Sequence, residues 1–375
     1  GPVKEIVDQW LREDMKKKKK YRLTAKRIWQ LLVEHHDFQG SDRTVRAYVS
    51  KRKRELLEES DEASLPLEPK PGEAQVDFGE APFKWNGEIV DLPYLVLSFP
   101  YSNAFLVQVF ESVNQECFLE GLKRFFHYIG GVPHTIRFDN LSPAVKKILP
   151  HGKRELTEGF QQFVLHYGFD YQFCNPDAGN EKGHVEAMVK YVRNNFFLPE
   201  RTIYAIEDLN QVLWEESEMD RHRPHFEMQE EIGKLYEKDK QALLYLPAKE
   251  YHCIRYETLK ADKYGYVQID TNKYSTSPRY AKMQVLVGIT HNRVDILDDD
   301  SEVIVRHNRL YGKGKKSMVW QPYLTLMARR PKALKYTTFY HQLPSIWRDY
   351  LLECTIEEKK KCLEASVSNP KRTGL

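Results

Sequence analysis

At 375 residues the chain is too long for one ordinary domain, and two to four units are expected at roughly 100–200 residues each. Apolar residues at 41% and charged residues at 30% supply real cores and exclude a wholly disordered chain. The net charge of +3 is unevenly placed: residues 1–55 hold 16 Lys/Arg against 8 Asp/Glu, so the remainder carries −5, and a basic head on a mildly acidic body points to a polyanionic partner.

The chain begins Gly1-Pro2 without Met, which resembles the scar of a removed tag and suggests trimming at the natural N-terminus. From Thr24, a helix with apolar Ile28, Leu31 and Leu32 is expected. Gly40 breaks it, and Ser41 caps a second helix with Val45, Tyr48 and Val49 inward. Arg43, Arg46, Lys51 and Arg52 then face outward, as on the recognition helix of a helix-turn-helix; an ordinary helical hairpin has the same pattern. Residues 58–72, acidic and proline-rich, read as a linker.

Beyond Gly72 strands are expected at 75–79, 91–99 and 104–110, with a turn at 100–103. A helix follows at 114–129, stopped by Gly130-Gly131. A strand at 135–138, helical stretches at 143–148 and 156–167, a strand at 170–174 and a helix at 182–197 complete the layout. A strand meander feeding strands flanked by helices is an α/β layer architecture. The uncharged stretch 92–110 is interrupted by Pro93, Pro100, Ser98, Ser102, Asn103 and Gln108, so a hairpin is expected there and no membrane span.

Residues 206–246 read as helical and 251–311 as five or so short strands, suggesting a small barrel. The basic, glycine-rich stretch with Lys313, Lys315 and Lys316 fits either a phosphate backbone or a solvated loop. Residues 324–365 are helical and basic-aromatic, suited to subunit or DNA contacts. The five cysteines form no C-x-x-C pair, so a reducing, cytosolic compartment and no zinc finger are expected.

Three acids stand out: Asp77 inside the first strand, Asp139 at the end of the fourth, and Glu186 on the late helix. A carboxylate flanked by Val76 and Phe78 costs several kcal/mol to bury unless it is paired or holds a metal. Carboxylate oxygens suit Mg²⁺ or Mn²⁺, and two such ions about 3.5–4 Å apart can drive phosphodiester chemistry. Taken singly, each acid reads as a turn or surface residue; their joint positions on this strand order are what favour the metal reading. Lys182, Glu186, Lys190 and Arg193 form one helical stripe, read either as surface ion pairs or as a metal-binding Glu flanked by phosphate-holding cations.

The segments QVDFGE, RFDNL and GHVEAMVKYVRNNF resemble the catalytic signatures of IstA-type insertion-sequence transposases, members of the DDE group with an RNase H-like core akin to retroviral integrases. The resemblance covers most of the chain, and the third motif is its most specific part. It implies that Asp77, Asp139 and Glu186 are the catalytic triad, holding two Mg²⁺ or Mn²⁺ ions. It further implies a multidomain α/β chain: a helix-turn-helix domain (1–57), a linker (58–72), a DDE catalytic core (73–200), a helical connector (201–250), a small β-barrel (251–312) and a basic loop with C-terminal helices (313–375). Implied partners are transposon-end inverted-repeat DNA, target DNA, the AAA+ helper ATPase IstB and further copies of the chain in a homodimer or higher oligomer, in the bacterial cytoplasm at the nucleoid. The rival expectation is a regulatory or architectural DNA-binding protein whose RNase H-like domain is inert.

Overall fold

The computed structural model describes residues 2–15, 22–59, 69–138, 142–148, 154–173 and 179–368. The chain divides into two compact units, Gly1–Glu68 and Pro69–Leu375. No helix among the described residues is long and apolar enough to cross a membrane.

The first unit is three helices, α1 (Pro2–Met15), α2 (Ala25–His36) and α3 (Asp42–Glu59). Thr24 caps α2, its hydroxyl accepting from Arg27 N–H at 3.1 Å; Ser41 does the same for Thr44 N–H at 3.3 Å. Val7, Leu11, Ile28, Leu32, Val45, Val49 and Leu56 close the core. Helix α1 was not anticipated, although Val7 and Leu11 stand four apart, on one face. Gly40 is fixed by packing: a Cβ there would lie 2.2 Å from the Phe38 ring, while Trp29 Nε1 donates to the Gly40 carbonyl.

The second unit is built on a six-stranded sheet in the order β3-β2-β1-β4-β7, with β8 also pairing β1. Its strands are β1 (Glu73–Trp85), β2 (Glu88–Ser98), β3 (Phe105–Val109), β4 (Thr135–Phe138), β7 (Asp170–Phe173) and β8 (Arg201–Ile203). The first three form the expected antiparallel meander; β4 and β7 add in parallel. The sheet is apolar on both faces. One face packs Val76, Leu95 and Leu97 against α4 (Gln115–Ile129) and α5 (Glu158–Tyr167). The other packs Ala81, Phe83, Tyr94 and Val96 against α6 (Gly179–Phe196) and α7 (Ile206–Asp220). At the β3 edge, buried Asn210 of α7 binds the Val109 backbone twice, accepting from N–H at 2.6 Å and donating to C=O at 3.1 Å.

Three local expectations change. Strand β1 runs 13 residues, through Gly79 and Pro82, because β2 pairs it along Gln75–Trp85. Strand β8, unforeseen, joins its far end at Phe83–Trp85. Residues 143–148 are not helical: a 3₁₀ turn Ser142–Ala144 leads into β5 (Val145–Ile148), antiparallel to β6 (Arg154–Leu156). A two-stranded ribbon supplies backbone partners that a six-residue helix containing Pro143 could not.

Helix α8 (Ile232–Gln241) follows α7. Residues 255–317 then form two sheets. Strands β9 (Arg255–Lys260), β12 (Gln284–Ile289), β13 (Arg293–Leu297) and β14 (Val303–Asn308) make an antiparallel four-stranded sheet. Strands β10 (Tyr266–Ile269), β11 (Asn272–Ser275) and β15 (Lys316–Ser317) make a smaller one. Val267, Ile269 and Tyr274 from one share a core with Val285, Val287, Val294 and Ile296 from the other. The four-stranded sheet is fastened to α4 by charge: Glu116 receives Arg255 Nε at 2.7 Å and Arg309 Nη1 at 3.0 Å. Four helices follow: α9 (Gln321–Arg329), α10 (Thr338–Gln342), α11 (Ser345–Glu353) and α12 (Ile356–Ser368). They enclose Leu324, Met327, Phe339, Leu351 and Leu363, leaving Tyr336 and Tyr350 exposed.

Candidate active site

Strand β1 changes partners at Asp77. Before it, Glu73–Val76 pair with β4, ending at Val76 opposite Phe138; β8 begins only at Phe83. Among the described residues, 77–82 have β2 on one side alone. A strand end where pairing changes is where open α/β sheets gather ligands. Asp139 lies outside the described residues; its chain neighbour Phe138 is the last residue of β4.

Strand alternation puts Asp77 on the same face as Gly79, Ala81 and Phe83, the face covered by α6. Its half-buried carboxylate accepts from Phe78 N–H at 2.8 Å. Three contacts set the level of α6 above β1. Tyr94, opposite Gly79 in the register, donates its hydroxyl to the Val189 carbonyl at 2.8 Å. Arg193 Nε donates to the Glu80 carbonyl at 2.9 Å. The Phe197 ring, just past the helix end, meets Phe83 with centroids 5.0 Å apart. Helix and strand therefore run the same way.

From Gly79 back to Asp77 is about 6.6 Å of strand, matched by about four to five residues of helix. Counted back from Val189, that is the turn containing Glu186. Glu186 stands three residues before Val189 and seven before Arg193, on the side of α6 that carries both. Asp77 thus lies on the β1 face that α6 covers, and Glu186, exposed, lies on α6 three residues before Val189. Both offer hard oxygen donors suited to Mg²⁺ or Mn²⁺. No group of three or more His, Cys, Asp or Glu gathers for a metal among the described residues.

Burial raises the Tyr94 phenol above its ordinary value; Arg193 opposes the rise and the Asp77 charge adds to it, so the phenol sits within electrostatic reach of both. His184, one turn before Met188, is pushed down to about 4 by burial and nearby His225, and is neutral at pH 7. Tyr94, Gly79 and His184 were not singled out in the sequence. A glycine inside a strand was the available signal, since it often marks the close approach of another group.

The predicted DNA-binding residues separate. Arg43, Arg46 and Lys51 are exposed on α3, with Arg46 paired to Asp42 at 3.0 Å. Arg52, expected to face outward, is instead turned in to Asp8 at 3.1 Å and Glu55 at 3.0 Å, because Asp8 on the unanticipated α1 draws it. Lys190 is exposed, Arg193 half-buried, and Lys313, Lys315 and Lys316 exposed. The Lys182 side chain lies outside the description.

Comparison with known proteins places this geometry in context. Residues 246–318 match the family model of the Mu transposase C-terminal domain. A transposase of Aminobacter aminovorans is 27% identical over 366 residues, 94% of this chain and 72% of the relative. The transposase for insertion sequences IS1326/IS1353 of Pseudomonas aeruginosa is 25% identical over 365 residues, 93% of this chain and 70% of that protein. The chain is a homologue of the insertion-sequence transposases. Kinship of this transposase homologue runs through both of its units, since the aligned length exceeds the 307 residues of the second. Among solved structures, the HTLV-2 integrase catalytic core domain in complex with magnesium matches with a TM-score of 0.30 at 16% identity, covering 46% of this chain and 99% of that one.

Proposed function

We propose that the chain cuts transposon ends and joins them to target DNA, using Asp77, Asp139 and Glu186 as its carboxylate set. The observation that supports this reading is that Asp77 lies on the β1 face covered by α6, the helix of Glu186, where β1 changes partners, in a homologue of transposases. The strand order, antiparallel for three strands and then parallel for two, supports an RNase H-like core. A two-step reaction follows. Water hydrolyses a phosphodiester at each end and frees a 3′-OH; that hydroxyl displaces a 3′-oxygen in target DNA by in-line transesterification, conserving the number of phosphodiesters.

Asp77, Asp139 and Glu186 would hold Mg²⁺ or Mn²⁺, two ions in this reading, which when bound supply Lewis-acid activation and charge neutralisation at the phosphate. The chain's own residues position the acids and grip the DNA. Residues 1–57 act as a helix-turn-helix on terminal inverted repeats, with Arg43, Arg46 and Lys51 exposed for phosphates and base edges. Lys182, Lys190 and Arg193 flank Glu186, and Lys313, Lys315 and Lys316 extend the basic path. Residues 251–312 serve as a barrel-like DNA-contacting module. Joining two ends in one event requires at least two copies, and a helper ATPase of the IstB type is the expected partner.

The test is nicking and strand transfer on a terminal-repeat duplex in Mg²⁺. Asp77→Asn and Glu186→Gln are each expected to abolish both steps while DNA binding persists. Full cleavage by either variant removes these carboxylates from the mechanism.

A further inference from the structure

One aromatic side chain ties the main chain of the helix that carries Glu186 to the sheet. Tyr94 is fully buried, and its ring occupies the space above Gly79: a Cβ at that glycine would lie 2.2 Å from Tyr94 Cζ and 2.3 Å from its hydroxyl oxygen. No side chain larger than hydrogen fits between strand and ring. The phenol therefore crosses β1 and reaches the main chain of α6, donating to the Val189 carbonyl at 2.8 Å. Its ring also packs on Phe197 with centroids 4.8 Å apart. One turn further along, Arg193 of the same helix holds the Glu80 carbonyl of β1. Asp77 stands two residues before Gly79 on the same face, and Glu186 three residues before Val189.

We propose that Tyr94, seated over Gly79, is a positioning residue that fixes the level of α6 against β1 and so holds Glu186 in register with Asp77. This rests on the carboxylate assignment proposed above. Its contribution acts at a distance, since neither the hydroxyl nor the glycine touches a carboxylate in the contacts described. A mid-helix carbonyl is already bonded within the helix, so a second donor from a rigid ring adds a fixed point rather than satisfying an orphan group. The buried phenol finds in it the partner that burial demands. Residues that orient metal-binding side chains typically change metal affinity by about 10–100-fold when altered.

The test uses the full chain with Tyr94→Phe, which keeps the ring and removes only the hydroxyl. Mn²⁺ binding is read by electron paramagnetic resonance without DNA, alongside thermal melting and end-DNA affinity in EDTA. Tyr94→Phe is expected to weaken Mn²⁺ binding about tenfold and to raise the Mg²⁺ concentration for half-maximal nicking in proportion, with DNA affinity within about twofold of the parent. A purely structural role would lower the melting temperature and leave the metal titration unmoved; that result overturns the proposal. Gly79→Ala is the second variant. It displaces the ring and should give the same metal defect, and adding Tyr94→Phe to it should add little, because the two act through one contact. Glu186→Gln is run in parallel. If Glu186→Gln abolishes Mn²⁺ binding while Tyr94→Phe binds normally, the positioning role fails and the carboxylate assignment stands. If Glu186→Gln itself binds Mn²⁺ and nicks normally, the assignment fails and takes the positioning role with it.

Discussion

Replacing Glu116 with Leu should loosen the four-stranded sheet from α4. The Glu116 side chain is 5% exposed and that of Arg309 2% exposed, joined at 3.0 Å. Removing the carboxylate strands a guanidinium that water cannot reach. Breaking such a buried pair costs about 3–5 kcal/mol. Arg309 keeps the Thr290 carbonyl at 2.8 Å and the rim carboxylate of Asp270 at 3.5 Å, so the lower end, about 3 kcal/mol, is expected. Arg255, the other partner of Glu116, is 31% exposed and can turn to water at little cost. By the size scaling of melting for a unit of this length, the loss lowers Tm by about 4–5 °C. Urea unfolding of Glu116→Leu, Arg309→Met and the double variant gives the measurement. The double variant replaces the pair by apolar groups and should recover to within about 1 kcal/mol of the parent. A Glu116→Leu protein within about 0.5 kcal/mol of the parent would show that the pair is not the fastening described.

Asp239 makes stability depend on pH. Burial raises its carboxyl from 3.8 to about 6, against the Gly72 N–H that donates to Oδ1 at 2.8 Å. The folded pKa lies above the unfolded one, so stability is fullest below about pH 4 and is lost as pH rises through about 6, by on the order of 3 kcal/mol. Asp239→Asn should flatten the fall between pH 4.5 and 7; parallel unfolding curves for the two proteins would refute it. At the basic stretch, Lys313→Gln, Lys315→Gln and Lys316→Gln should weaken DNA binding equally across sequences, each lowering the salt slope by about 0.9. An unchanged slope would return these lysines to solvent.

The sheet was legible where local pattern and tertiary pairing agree. The meander, the Asn114-capped helix and the strand at 135–138 each carry their own punctuation. Asp77 stood out because a carboxylate between Val76 and Phe78 is costly to bury, and the structure leaves it half-buried on the face that α6 covers. Other features depend on partners far along the chain. Strand β1 continues through Gly79 and Pro82 because β2 pairs it throughout, and β8 has only three residues, too few to show a period. Residues 145–148 look helical until 154–156 pair with them. Arg52 was misread because its partner Asp8 sits on a helix 44 residues earlier. The role assigned to Tyr94 was not visible at all: only the register sets it opposite Gly79, and only the packed helix shows what its hydroxyl reaches.

The two borders of the main sheet are unlike. At β3, Asn210 imitates a neighbouring peptide unit, filling the outermost donor and acceptor of Val109, and every residue of that strand is buried. Another molecule cannot dock there by continuing the ladder. At β7, Asp170, Tyr171 and Gln172 are exposed, and a polar, four-residue border of this kind discourages sticky stacking between copies. Among the described residues, neither border of this sheet invites another strand to continue its ladder.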